Sequence, residues 1–371
     1  MAQQNNARVA TLAQPVTPEP SLHLIVVGYG NIASYWLRHF ASQLPQSVSV
    51  AAVINSTGQL TEQALPSELT SSHAWLPMAQ VDGVTTEQRV VALLGDLNAQ
   101  QRSVAIIDLT ASKAVSRYYP TWVAAGAHLI CANKYAGSSA LDFYLPLRAL
   151  LEKQQRHWLH NTTVGAGLPI QSTISERLAC QDQIIAIEGN FSGSLSWVFQ
   201  HYRRGDKVSD WLRKAADLGM TEPDPRNDLA GMDVARKLLI LARESGWQLE
   251  LADLAIESLV PPPLQQGSVE QFWQRIDELD ADLAEREGNQ FHYIGRIEKL
   301  ADGRIVGGAK LQSIEPTSSY ASLPAGNANF KIQSRQYCDN PLLIQGPGAG
   351  REVTAAGVHS DIIHLHQRLG S

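Results

Sequence analysis

Leu22 to Val27 (LHLIVV) is a short apolar run rich in β-branched residues, and Gly28-Tyr29-Gly30-Asn31-Ile32-Ala33 follows it with no spacer. An apolar run of this length bounded by glycine predicts a buried strand. Apolar residues at helical spacing from Ser34 to Leu44 predict a helix directly after it. Strand, G-x-G-x-x-A and helix in that order are the context in which such a loop binds a dinucleotide. Gly28 would permit the tight turn, and Gly30 would let the backbone approach a pyrophosphate. Ala33 would let helix and strand pack closely, with Asn31 and Ile32 at the helix start facing the phosphates. The same residues would also serve a tight βα turn with no ligand. Either way the chain is committed to a βαβ layout, and its fold class is α/β with a Rossmann-type dinucleotide-binding domain.

Three more runs extend this sheet. Val48 to Ile54 predicts a second strand, ending at Asn55-Ser56-Thr57. An NAD-specific site usually has Asp or Glu here to hold the ribose hydroxyls. Asn55 removes the repulsion against a 2′-phosphate, although no Arg or Lys follows directly to grip one. The balance leans to NADP and leaves NAD open. Ser103 to Leu109 and Ala127 to Ala132 predict strands that end at Thr110 and at Asn133-Lys134. Ligands of open α/β sheets collect at the carboxyl ends of the strands. Gly28, Asn55, Thr110 and Lys134 therefore fall on one crevice.

With 371 residues there is room for a second domain. A net charge of -6 provides no basic footprint for nucleic acid or an acidic membrane surface. No apolar run approaches the ~20 residues that span a bilayer. Cys131, Cys180 and Cys338 are sparse and follow no metal-ligand spacing, which suits free thiols in the cytoplasm. Residues 1–20 are polar and read as a disordered tail or a linker remnant.

The stretch Thr221 to Arg243 (TEPDPRNDLAGMDVARKLLILAR) reads as a polar loop running into an apolar helix. The loop carries Glu222, Asp224, Arg226 and Asp228. Asp233 and Lys237 are four apart and share one helical face. They form a solvated ion pair in one reading and a proton-transfer lysine beside substrate-holding carboxylates in the other. Asn161 to Pro169 (NTTVGAGLP) is a glycine-containing turn whose carbonyls could hold a cation with no acidic ligand; a plain strand-to-helix turn is the simpler reading. Ile184 to Phe191 predicts a strand leading into Ser192-Gly193-Ser194-Leu195-Ser196-Trp197, read as a small-residue turn able to contact a substrate carboxylate. Phe291 to Ile314 reads as β-rich, with a hairpin turn at Ala301-Asp302-Gly303. Gly346, Gly348 and Gly350 then open an apolar helix from Val353 to about Leu369.

Taken together, these segments resemble homoserine dehydrogenases, most closely the dehydrogenase half of bifunctional aspartokinase/homoserine dehydrogenases. The likeness runs from about Leu22 to the C-terminus. It is carried by the glycine loop, DLTAS at 108–112, ANK at 132–134, VGAGLP at 164–169, SGSLSW at 192–197, TEPDPR at 221–226, GMDVARK at 231–237 and GAGREVTAAG at 348–357.

The resemblance implies NAD(P)-dependent interconversion of L-homoserine and L-aspartate 4-semialdehyde, on the route to threonine, methionine and isoleucine. It implies that Lys237 is the proton donor and acceptor and that Lys134 is a second lysine where cofactor and substrate meet. Glu222 and Asp233 would hold the substrate, with Asp228, Gly193 and Ser194 nearby. Thr110 and Gly350 would contact the cofactor. Asn161, Val164, Ala166 and Leu168 would form a sodium site made largely of backbone carbonyls. A homodimer is implied as well.

Expected domain bounds are 21–160 for the dinucleotide-binding domain and 161–339 for a mixed α+β substrate and dimerisation domain, with 340–371 returning to the first. Ala33, Asn227 and Met220 depart from the frequent family residues; Met220 would remove a hydroxyl near the substrate. No kinase activity or threonine feedback domain is expected, although the chain is compatible with a piece of a longer enzyme. Two other readings compete. Aspartate-semialdehyde dehydrogenase would need an acyl-accepting cysteine, and neither Cys131 nor Cys180 lies in such a motif. A non-catalytic NADPH-binding paralogue, or a partner of an aspartokinase, would be favoured by loss of Lys237 or Glu222, and both are present.

Overall fold

The computed structural model describes residues 21–61, 78–81 and 83–370; the expected tail at 1–20 lies outside them. Two sheets organise the chain. The first is built from β1 (Leu22–Val27), β2 (Val48–Ile54), β3 (Gly58–Thr61), β4 (Ala79–Gln80), β5 (Ser103–Asp108), β6 (His128–Cys131) and β7 (Trp158–Leu159), in the order β4-β3-β2-β1-β5-β6-β7. β2, β1, β5, β6 and β7 run parallel; β3 and β4 add an antiparallel edge. All six residues of β1 are buried, as expected of a central parallel strand covered on both faces. The chain reverses direction across the sheet at β1, with β2 on one side and β5 on the other. That switch point is where a dinucleotide crevice opens.

The second sheet comprises β8 (Ile184–Gly189), β9 (Ala255–Ile256), β10 (Phe291–Lys299), β11 (Ile305–Ser313), β12 (Asn327–Ser334) and β13 (Leu342–Pro347), in the order β13-β12-β8-β10-β11-β9. β10 and β11 form the expected hairpin across Ala301-Asp302-Gly303. The helix Met232–Glu244 packs on this sheet, burying Leu238, Leu239, Ile240 and Leu241 in its core. The molecule is thus a Rossmann-type domain joined to a second, mixed α+β unit.

Four local expectations are corrected. The helix after the glycine loop spans Asn31–His39 and ends in a short 3-10 turn, Ala41–Gln43, where the apolar spacing predicts Ser34 to Leu44. It begins earlier because Gly30 already serves as N-cap, so the turn needs only Gly28 and Tyr29. Ser192-Gly193-Ser194 is not the expected turn: Ser192 caps a helix, Gly193–His201, by accepting from the Leu195 amide. Gly346 lies inside β13, so only Gly348 and Gly350 lead into the terminal helix, Arg351–Gly370. The return to the first domain comes later than the expected 340, because pairing of β13 with β12 keeps the chain in the second sheet to Pro347. The terminal helix then joins the first core through Ala355, Val358, Ile362 and Leu365.

Candidate active site

The β1 turn is shaped as the sequence requires. Gly28 has φ +95, and a Cβ there would sit 2.7 Å from Thr110 Cγ2. Only glycine tolerates both that backbone and that approach. The space beside Gly30 is open. The first intrahelical bond is donated by Ser34 to Gly30 O, and no side chain caps the helix. The amides of Asn31, Ile32 and Ala33 therefore keep their hydrogens for an anion. This cradle fits a pyrophosphate.

Asn55 Oδ1 is turned onto its own loop, accepting from the Thr57 and Gly58 amides at 2.9 and 2.6 Å. No Arg follows it in sequence, but Arg89 lies beneath the same loop and donates to the carbonyls of Asn55 and Gly58, each at 2.7 Å. Those contacts and its burial make Arg89 a brace for the loop. Gly350, with φ +124, ends the loop that brings Ala349 against Gly193.

Beside the glycine-loop helix, an open cleft of about 570 Å³ is lined by Ile32, Thr110, Lys134, Glu222, Asp228 and Asp233, among others. The first three come from strand ends and the glycine-loop helix. The acids come from the loop and helix of the second unit. Residues far apart in sequence thus meet over one crevice. Asn227 also lines it; Met220 does not, and is exposed.

Asp233 is the hub. Its Oδ2 lies 2.6 Å from Lys237 Nζ and its Oδ1 3.7 Å from Lys134 Nζ. Lys237 also donates to Phe191 O at 2.8 Å and is mostly covered. Desolvation in the cleft pushes the Asp233 carboxyl up, but Lys237 and Lys134 overcome it and hold the group at about 2. Loss of water pulls the Lys134 ammonium below the ordinary lysine range; Asp233 opposes this and Lys237 adds to it. Burial raises the Asp228 carboxyl, against hydrogen bonds from Ser194 Oγ at 2.6 Å and the Glu222 amide at 2.9 Å. Ser194 is therefore tied to Asp228 by its hydroxyl. The helix Gly193–His201 presents the amides of Gly193 and Ser194, which precede its first paired ones at Leu195 and Ser196.

The loop after β7 gathers the four residues of the expected sodium site. Asn161 Nδ2 donates to Leu168 O at 2.9 Å, and Leu168 O also accepts from the Ile170 amide. Asn161 Oδ1 is buried with no hydrogen-bond partner, and the carbonyls of Val164 and Ala166 accept none among the described residues. Excess buried acceptors in one turn fit a hard cation.

Sequence reasoning assigned no role to Asp108, Asn133 or Tyr119. Asp108 is fully buried and accepts from Tyr119 Oη at 2.7 Å, Asn133 Nδ2 at 2.9 Å and the Thr110 amide at 2.8 Å. The signal available was an Asp and an Asn, each ending an apolar strand. Cys131 is buried in β6 and its thiol is pushed well up by burial, so it offers no acyl-accepting thiolate; Cys180 and Cys338 are exposed elsewhere.

The crevice brings Lys134 from the first sheet and Lys237 from the second unit onto one carboxylate, Asp233. Two family models match, one described as homoserine dehydrogenase over residues 169–363 and one as homoserine dehydrogenase, NAD binding domain, over residues 28–161. The chain belongs to the homoserine dehydrogenase family. It is 33% identical to homoserine dehydrogenase of Paracoccidioides brasiliensis, covering 94% of this chain and 99% of that one. It is 37% identical to bifunctional aspartokinase/homoserine dehydrogenase 2 of Escherichia coli over 95% of this chain, which spans only 44% of that relative.

Among solved structures, a Candida auris protein of unknown function superposes with TM-score 0.80 at 30% identity, covering 93% of this chain and 98% of that one. A hyperthermophilic archaeal homoserine dehydrogenase in complex with NADPH superposes with TM-score 0.68 at 17% identity, over 93% and 98% of the two chains; this likeness bears on the fold. No helix among the described residues is long and apolar enough to cross a membrane.

Proposed function

We propose that the chain interconverts L-homoserine and L-aspartate 4-semialdehyde with NADP as the preferred nucleotide. The observation that carries this reading is the line Lys134–Asp233–Lys237, whose first two members line the cleft beside the glycine-loop helix. When bound, the nicotinamide accepts or supplies the hydride.

The chain's own residues do the rest. Lys237 holds and releases the proton of the substrate oxygen, and its contact with Asp233 orients Nζ for that transfer. Glu222 and Asp233 offer charge to the substrate ammonium, with Asp228 braced behind Glu222. The free amides of Gly193 and Ser194 receive its carboxylate. Lys134 stands where nicotinamide and substrate meet. Asn31, Ile32 and Ala33 hold the pyrophosphate, with Thr110 and Gly350 at the cofactor's edge. The lack of an acid at Asn55 supports NADP over NAD.

A sodium ion among Asn161, Val164, Ala166 and Leu168 belongs to the same proposal, supported by the unpartnered Asn161 Oδ1. A homodimer in the cytoplasm rests on the family resemblance and the free cysteines; light scattering of the purified chain checks the first.

The test is steady-state oxidation of L-homoserine with NADP and NAD side by side. Turnover favouring NADP is the expected result. A folded protein that binds NADPH yet turns over with neither nucleotide would instead be a non-catalytic nucleotide-binding member of the family.

A further inference from the structure

Asn133 sits between the two loops that carry Thr110 and Lys134, and it is buried. Its Nδ2 donates to Asp108 Oδ2 at 2.9 Å and to Ser112 O at 2.9 Å, with Thr110 Oγ1 at 3.3 Å. Its Oδ1 accepts from the Tyr135 amide at 3.0 Å. One side chain thus ties the loop after β5 to the loop after β6, on both sides of Lys134. Asp108 anchors the tie from below, and its other oxygen holds the Thr110 amide. A carboxylate here could not donate, and an apolar residue could neither donate nor accept. Only an amide of this length serves both loops.

We infer that Asn133, seated on the buried carboxylate of Asp108, is a positioning residue that fixes Lys134 relative to the cofactor loop at Thr110. The Lys134 carbonyl accepts from the Ser138 amide and hydroxyl and its ammonium spans to Asp233, so neither contact reaches the Thr110 loop. Freeing the tie lets the lysine loop and the Thr110 loop drift apart. An error on the ångström scale in such a constellation lowers turnover by about a hundredfold. This inference rests on the proposed reaction only for its kinetic readout.

Three variants test it in the full chain. Asn133→Ala is expected to lower kcat by about 10–100-fold while the KM for NADP stays within about threefold, because the ground-state grip at the glycine loop is untouched. Asn133→Asp places a second carboxyl against Asp108, and two such groups in contact share one proton. The shared proton restores a hydrogen bond in the Asn133 position at low pH. The ratio of variant to wild-type kcat is therefore expected to rise as pH falls. Tyr119→Phe removes a different Asp108 partner and leaves the Asn133 bonds to Ser112 O and the Tyr135 amide in place, and is expected to lower Tm with kcat little changed.

Backbone hydrogen exchange provides a readout independent of turnover. The amides of 110–112 and 133–135 are expected to lose protection together in Asn133→Ala. An Asn133→Ala enzyme that only melts earlier, with wild-type kcat and unchanged exchange in those loops, overturns the inference. So does an Asn133→Asp enzyme with the wild-type pH profile. A wild-type protein with no homoserine turnover sinks the proposed reaction instead, and the exchange data still decide whether Asn133 ties the loops.

Discussion

Among the described residues Lys237 makes two polar contacts, the 2.6 Å pair with Asp233 and the 2.8 Å bond to Phe191 O. Neither needs a proton to be lost, so charge alone would satisfy the structure; the proposed reaction needs more. A side chain that moves a proton in the transition state contributes about 10²–10⁴-fold to rate. Lys237→Ala is expected to lose kcat by about that factor with NADPH binding retained. Lys237→Arg separates the two roles, because guanidinium keeps the charge but does not release its proton. An arginine variant as inactive as the alanine one supports proton transfer; a largely active one means Lys237 acts only as a charge. Asn161 carries a second residue-scale expectation. If its orphaned Oδ1 helps hold sodium, melting in NaCl should occur above melting in choline chloride at equal ionic strength. Asn161→Ala should erase the difference, and equal melting of the wild type in the two salts would refute the site.

The helix Met232–Glu244 depends on how its chain enters. Gly231, its N-cap, has φ +70, and a Cβ there would collide with Tyr293 Oη. Tyr293 is itself fixed by donating to Glu257 O at 2.6 Å. A left-handed backbone costs a non-glycine residue about 1–2 kcal/mol before any clash. Gly231→Ala should therefore lower Tm by several degrees and weaken homoserine binding as Asp233 shifts, measured by melting and by KM on the same sample. An alanine variant with wild-type Tm would mean that the entry can relax. This element was legible in the sequence because its signal is local: Asp233 and Lys237 are four apart on an apolar stripe. The helix after Ser192 was less legible, since glycine and serine are weak helix formers, and the cap that starts it spans only Ser192 and the Leu195 amide. The tie between Asp108 and Asn133 was not legible at all. Those residues are 25 apart and meet only because β5 and β6 pair in register, Asp108 opposite Cys131. Arg89 under the Asn55 loop was hidden for the same reason.

At the scale of the whole molecule, the two-domain plan was readable because each strand ends in a chemically distinctive residue. What stayed hidden was which polar groups the packing would bury, and these set the pH response. Burial holds His128 and His292 at about 4, below the ordinary 6.5. Between those values the unfolded chain binds more protons than the folded one, so stability rises with pH. Asp361, in the terminal helix, is pushed by burial from 3.8 to about 7. Here the folded chain keeps a proton that the unfolded chain has released, so stability falls as pH rises from about 4 to 7. From pH 4 to 6.5 the two histidines outweigh this carboxyl, and the slope of the three together is upward. Above 6.5, of these three only the carboxyl still titrates, and their joint slope reverses. Their joint contribution to stability is therefore expected to peak near pH 6.5. Asp361→Asn keeps an oxygen for the Asn161 amide, which Asp361 Oδ2 now accepts at 3.2 Å, and removes the titration. Each pH unit that separates the folded from the unfolded titration of a carboxyl is worth about 1.4 kcal/mol. The variant should therefore gain a few kcal/mol at pH 8, with the gap closing toward pH 4. Denaturant unfolding of both proteins from pH 4 to 8 checks this. A wild-type stability curve that keeps rising to pH 8, or an Asp361→Asn curve parallel to it throughout, would show that this carboxyl is already ionised in the folded chain at neutral pH.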